Sequence, residues 1–273
     1  MPHAAARGRS GRREQGRTAQ AGLYNGYIVR TLLLIFAHPD DETFLTGGSV
    51  CRYAAEGVRV VLATATRGES GKPGQPPLCS AEALPVVREQ ELRRAAEILG
   101  IADVHLLGYR DRELQHAPHD EIRRQLVELI RVERPQVVVS FDPNGGNLHP
   151  DHIAISRFAT DGVTAAADPR WHPELGAPHD TTRLAWVPGR RPWQLVREPA
   201  IAACPGVDFL VDVGAWRDRK LAALLAHATQ HQSVERNFLS QPDADRLLGV
   251  EVFRQAFGPR LATRPAADLF EGV

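Results

Sequence analysis

Residues 32–42 constrain this chain more than any other stretch: they read LLLIFAHPDDE, an apolar run that ends in a histidine and two adjacent carboxylates. Consecutive apolar residues without alternation describe a strand buried on both faces, the habit of parallel sheets. Open α/β sheets collect ligands outside the carboxyl ends of such strands, so His38, Asp40 and Asp41 stand where chemistry gathers. A second cluster, His149-Pro150-Asp151-His152, follows the apolar run Val137-Val138-Val139-Ser140-Phe141 and repeats the arrangement. One such cluster is equally well explained by helix capping, since Asp and Thr are good N-cap residues. Two clusters, each with a stiffening proline after its leading histidine, point to one shared metal site.

Hydrolytic zinc centres take three ligands from His and Asp/Glu and leave a fourth position for water, whose pKa falls to about 7. Two histidines and a carboxylate are also the ligand set of non-haem Fe(II) oxygenases, so the residue types leave Fe2+ beside Zn2+. Asp40 and Asp41 diverge if the chain stays extended, so that one binds metal while the other faces the water as general base. The two histidines of HPDH divide in the same way. One completes the metal sphere, and the other, steadied by a carboxylate, stabilises a tetrahedral oxyanion and protonates the leaving amine.

AHPDDE near the start and HPDH later in the chain resemble the PIG-L, or LmbE-like, family of zinc-dependent deacetylases. The resemblance implies a Rossmann-like α/β fold and removal of acyl groups from N-acylated amino sugars, or cleavage of related amides. By motif position it implies His38, Asp41 and His152 as metal ligands, Asp40 as general base, His149 as the oxyanion-stabilising acid and Asp151 as its orienting partner. TRGESG at 66–71 is similar to the family's second strand end. Arg88, in Arg88-Glu89-Gln90-Glu91-Leu92, and Asp111, in Gly108-Tyr109-Arg110-Asp111, match positions that the resemblance places in substrate binding. Lys220, Ala223, His227 and Gln230 resemble a helix of many members, but their spacing is that of a packed helix face and is read as packing.

A chain of 273 residues, 43% hydrophobic and 24% charged, is that of an ordinary globule able to bury a large core. Residues 26–273 are expected to form a single domain, preceded at 1–25 by a basic, disordered extension whose Arg7, Arg9, Arg12, Arg13 and Arg17 face only Glu14. Lys+Arg and Asp+Glu balance at 33 each, so no global charge draws the chain to nucleic acid or anionic membrane. No apolar stretch approaches the roughly 20 residues needed to span a bilayer. Cys51, Cys79 and Cys204 are widely spaced and indicate neither a disulfide framework nor a thiolate zinc site, which makes the cytoplasm the expected compartment. The partner implied is a small N-acyl amino-sugar substrate. Nothing in the chain fixes an oligomeric state, and a homo-oligomer is compatible with it.

Strands are expected at 58–66, 103–107, 135–141 and 208–213 and helices at 44–57, 87–99, 120–133 and 215–231. Their alternation predicts a Rossmann-like, mostly parallel sheet with helices on both faces and the metal site at the carboxyl ends of the strands. The Gly- and Pro-rich residues 67–85 read as an irregular loop on the rim of that site. Residues 167–199, rich in Pro, Trp and Arg, match no motif. Three functions fit these observations: an N-deacetylase of amino sugars, an amidase of thiol-sugar conjugates using the same centre, and a non-catalytic binding relic. Asp40 favours an enzyme, because a relic needs no carboxylate beside the metal water.

Overall fold

The computed structural model describes residues 30–188 and 200–273, together with Arg197 and two short segments near the N-terminus. The sheet is built from β1 (Thr31–Phe36), β2 (Arg59–Thr66), β3 (Asp103–Tyr109), β4 (Val137–Phe141), β5 (Arg183–Val187), β6 (Phe209–Asp212) and β7 (Val250–Phe257). The main helices are α1 (Asp41–Ala55), α2 (Leu84–Leu99), α3 (His119–Glu133), α4 (Pro150–Ala167) and α5 (Arg217–Ala226). Strand order is β3-β2-β1-β4-β5-β7-β6. The first five run parallel, and β7 pairs antiparallel with both β5 and β6. This is the expected α/β sheet.

Burial explains the sequence pattern. Leu32, Leu33, Leu34, Ile35 and Phe36 are all essentially without solvent exposure because β1 is central and covered on both faces. Helices α1, α2 and α5 pack against one another, while α3 packs against α4 in a separate layer. The order of strands reverses between β1 and β4, which lie side by side with Leu32 opposite Val137 and Leu34 opposite Val139. A crevice opens outside the carboxyl ends of the strands at such a switch point. The AHPDDE loop leaves β1 there, and the loop carrying HPDH leaves β4.

Two strands of the large sheet escaped the sequence reading. β5 lies inside the motif-poor stretch 167–199, and β7 follows the last expected helix. Residues 189–196, 198 and 199 of that stretch lie outside the described residues. So does nearly all of the expected N-terminal extension, but Leu23–Tyr24, at its end, forms an antiparallel pair with Tyr27–Ile28, in keeping with the strand preference of Tyr and Ile. Helix α3 begins one residue before the expected cap, with Pro118 rather than Asp120 in the N-cap position. The last expected helix ends at Ala226 and gives way to a 3-10 turn and then a π-helical turn, Glu235–Leu239.

Candidate metal centre and pocket

The loop after β1 is closed by its own acid. Asp41, the first residue of α1, turns Oδ2 back to accept the amide N–H groups of His38 at 2.8 Å and Ala37 at 3.2 Å. The helix start stabilises a carboxylate in this position. Oδ1 of Asp41 is left facing His152 Nε2 at 3.5 Å. Asp40, the N-cap, has φ 129° and ψ −29°, a conformation rare for a residue with a side chain, and its carbonyl accepts the N–H groups of Thr43 and Phe44. Asp40 and Asp41 therefore diverge, as expected, but through a helix start rather than an extended chain.

The rings converge between the two loops. His38 Nδ1 lies 3.0 Å from His152 Nε2 and 3.6 Å from Asp41 Oδ2. The remaining nitrogen of each ring is held by protein: His152 Nδ1 is 3.0 Å from the carbonyl of Gly145, and His38 Nε2 is 3.1 Å from Asp151 and 3.2 Å from Asp111. Phe141, the last residue of β4, stacks on His152 with centroids 4.0 Å apart and planes at 10°. His38, His149 and His152 each bring a ring nitrogen to within 4.8 Å of one another. Gly145 keeps this packing possible, since a Cβ there would lie 2.7 Å from that of His152.

The electrostatics follow from burial and neighbours. Burial opposes a charged His38, yet its hydrogen bonds to the Asp111 and Asp151 carboxylates outweigh it and raise its pKa to about 10. His152 goes the other way, lowered to about 3 by burial and by repulsion from His38. Burial raises Asp40 to about 6 against the pull of Arg88. His149 is lowered by burial and by its two imidazole neighbours.

The other expected residues reach the same pocket with different partners. The Asp151 carboxylate does not contact His149. It turns to His38, held by the amides of Arg112 at 2.6 Å and Leu114 at 3.2 Å, and His149 instead receives the Asp151 backbone N–H on Nδ1 at 3.2 Å. Arg88 is buried, donating to the carbonyls of Gly68 and Pro39 and pairing with Asp40 Oδ2 at 3.2 Å. A side chain on Gly68, whose φ is +66°, would collide with that guanidinium, which accounts for the glycine in TRGESG. Asp111 accepts the Ser70 amide at 3.0 Å while facing His38. Sequence reading aimed Arg88 and Asp111 at substrate; here both are engaged by protein.

A cavity of about 340 Å³ lies over these groups, within the size range of small-molecule sites. One wall was not foreseen. Gln230, Ser233, Arg236 and Asn237 line it from the turns after α5, and Arg112 lines it from the loop after β3. Irregular π-helical turns tend to mark functional sites, but a π turn leaves no periodicity to read in a sequence. His227 and Lys220, both read as packing, are buried, His227 on Glu42 at 2.8 Å and Lys220 on Glu251 at 2.7 Å.

The model of the family described as PIG-L, GlcNAc-PI de-N-acetylase, matches residues 33–163. A protein of Streptomyces scabiei, named 1D-myo-inositol 2-acetamido-2-deoxy-alpha-D-glucopyranoside deacetylase, is 36% identical, with 90% of each chain covered. This chain belongs to the PIG-L family. A relative with the same name from Geodermatophilus obscurus is 39% identical, covering 89% of this chain and 98% of its own. Among solved structures, the conserved protein TT1542 from Thermus thermophilus matches with a TM-score of 0.65 at 29% identity, over 86% of this chain and 97% of that one. The PIG-L match spans both histidine clusters, Arg88 and Asp111. The wall at 230–237 lies beyond it.

Proposed function

We propose that this PIG-L protein is a zinc-dependent N-deacetylase that hydrolyses the acetamide of an amino sugar carried on a polyol, the substrate class named for its relatives. The observation that carries the metal assignment is the approach of His38 Nδ1 to within 3.0 Å of His152 Nε2, with Asp41 alongside presenting Oδ1 to His152 at 3.5 Å and Oδ2 to His38 at 3.6 Å. Donors around a tetrahedral zinc with bonds of about 2.0–2.1 Å stand roughly 3.3 Å apart. Both rings are oriented through their other nitrogen, as metal-binding histidines usually are. Two imidazole nitrogens this close cannot both carry a proton, which suits a shared cation.

Zinc held by these three side chains would supply Lewis-acid activation of water and of the amide carbonyl. The chain's own groups do the rest. Asp40 takes the proton of the attacking water, held by Arg88 so that its carboxylate keeps one direction. His149, whose Nδ1 is occupied by a backbone N–H, has Nε2 available to donate a hydrogen bond to the carbonyl oxygen as charge develops on it. Asp111 and Asp151 hold His38. As the C–N bond breaks, the leaving nitrogen takes up the proton that Asp40 removed from water, and the products are acetate and the free amine.

The wall formed by Gln230, Ser233, Arg236 and Asn237 supplies amide, hydroxyl and guanidinium groups to the part of the substrate beyond the acetamide. A polyol is recognised by donors and acceptors of this kind. The deciding assay measures acetate and amine released from 1D-myo-inositol 2-acetamido-2-deoxy-alpha-D-glucopyranoside and from free N-acetylglucosamine, with and without added zinc. Zinc-dependent release, faster for the glycoside, is expected. Absence of release from either compound by the zinc-loaded protein overturns the proposal.

A further inference from the structure

Behind Asp40, away from the histidine cluster, lies a second buried pair that the reaction described above does not use. Glu42 and His227 have no side-chain exposure, and Glu42 Oε1 is 2.8 Å from His227 Nε2. The other oxygen, Oε2, accepts the backbone N–H of Asp40 at 3.0 Å. Thr43 Oγ1 also donates to Oε1. This resembles a capping box, in which a helix-start glutamate reaches back to the N-cap amide, but the glutamate here sits at the second helical position and is itself held from below.

The histidine serves nothing else. Its Nδ1 has no partner among the described residues, so its polar contacts all run through Nε2, to Glu42 and Thr43. Its place in the chain is fixed just afterwards by Thr229, whose N–H and hydroxyl both bond to Glu91 of α2 at 2.8 and 2.7 Å. The N–H that Glu42 receives belongs to Asp40, whose backbone is strained at φ 129°. Such conformations persist only where their surroundings over-determine them. Arg88 restrains Asp40 from one side, at the Pro39 carbonyl and the Asp40 carboxylate; Glu42 restrains it from the other, at the amide.

We infer that Glu42 and His227 are positioning residues for the deacetylation: the pair holds the Asp40 main chain in its positive-φ turn, and so holds the carboxylate toward the pocket. The inference rests on the reading of Asp40 as the base. A buried carboxylate deprived of its donor is costly to keep in place, so removal of His227 releases Glu42, then the Asp40 amide, and Asp40 relaxes out of its direction. A pair that merely joined α1 to the end of α5 would affect stability and leave turnover per folded molecule unchanged.

The test compares zinc per chain, kcat and KM of the zinc-loaded enzyme on 1D-myo-inositol 2-acetamido-2-deoxy-alpha-D-glucopyranoside for His227→Ala, His227→Gln and Asp40→Asn, and for the double variant His227→Ala with Asp40→Asn. Expected for His227→Ala is a kcat lower by about 10–100-fold, the scale on which supporting groups act, with KM and zinc unchanged. His227→Gln, which returns an N–H donor, should recover most of the loss. In the Asp40→Asn background His227→Ala should cost nothing more, because residues that act as a unit are not additive. Unchanged kcat in His227→Ala, a loss that multiplies with that of Asp40→Asn, or loss of zinc along with activity each overturns the inference. Full turnover in Asp40→Asn alone is the separate result that removes Asp40 as base. Should His227→Ala not fold, the isosteric Glu42→Gln carries the same readings, and unchanged kcat in it is equally decisive.

Discussion

Arg88 donates to the carbonyl of Pro39 and lies 3.2 Å from the carboxylate of Asp40, so a guanidinium in the pocket is committed to the residue beside it and not left free to grip a ligand. Its nitrogens also reach Gly68. Arg88→Lys should therefore lower kcat by about 10–100-fold while KM and inhibition by acetate change little, since an ammonium cannot reproduce two-point contacts. Steady-state kinetics with acetate as inhibitor decides this: weakened acetate binding with unchanged kcat would return Arg88 to direct substrate contact.

Zinc binding should separate three ligands from two supports. His38→Ala, Asp41→Ala and His152→Ala are expected to hold no stoichiometric zinc, whereas Asp111→Asn and Asp151→Asn should bind it about 10–100-fold more weakly. Competition against a coloured chelator reads both. Undiminished zinc in all three alanine variants would sink the ligand assignment.

Asp40→Asn is expected to keep its zinc and to lose turnover by roughly 10²- to 10⁴-fold, the range of a positioned general base. Elemental analysis alongside kcat is sufficient. Zinc lost together with turnover would make Asp40 a ligand.

In α1 the prediction concerns packing. A Cβ on Gly48 would lie 2.5 Å from Val213 Cγ2, and over-packing of this kind costs about 1–3 kcal/mol. Gly48→Ala should lower the unfolding free energy by that amount, read from urea denaturation, with little change in turnover of the folded fraction. An unshifted midpoint would mean that Val213 moves aside freely.

Stability should also depend on pH through His179, which is buried with Nε2 2.8 Å from the Pro135 carbonyl. Burial lowers its pKa below 6.5. The unfolded chain therefore binds a proton that the folded chain resists, so the contribution is fully present above about pH 6.5 and is lost as pH falls toward the folded pKa. Urea unfolding between about pH 5 and 7.5 should show a shallower decline in His179→Asn than in the parent; equal slopes would contradict the assignment.

The parts legible in the sequence were those that local chemistry dictates. β1 declared itself because a strand covered on both faces must be apolar throughout, and the two clusters, His38 to Asp41 and His149 to His152, because turns stiffened by proline put them at strand ends. Direction was another matter. Whether Asp151 faces His149 or His38 is settled by the amides of Arg112 and Leu114, groups that every residue but proline carries and no motif records. Arg88 and Asp111 were placed in the right pocket, but their partners come from Gly68, Pro39 and Ser70 on neighbouring loops. β5 escaped notice inside a stretch read for its Pro, Trp and Arg, and the wall at 230–237 because its turns depart from helical period.

His227 bonds to Glu42 in the first turn of α1, and Glu251 accepts the amides of Gly48 and Ser49 farther along the same helix, each at 2.8 Å. The chain between these two clips carries Gln230, Ser233, Arg236 and Asn237. It is thus moored at both ends to the helix that supplies Asp41, and between the moorings Val234, Phe238, Leu247 and Leu248 are buried in one apolar cluster with Leu224 and Val252. The pocket wall and the helix start that carries Asp41 are thereby one mechanical unit: polar residues that face the cavity can vary only as far as the apolar residues behind them stay packed.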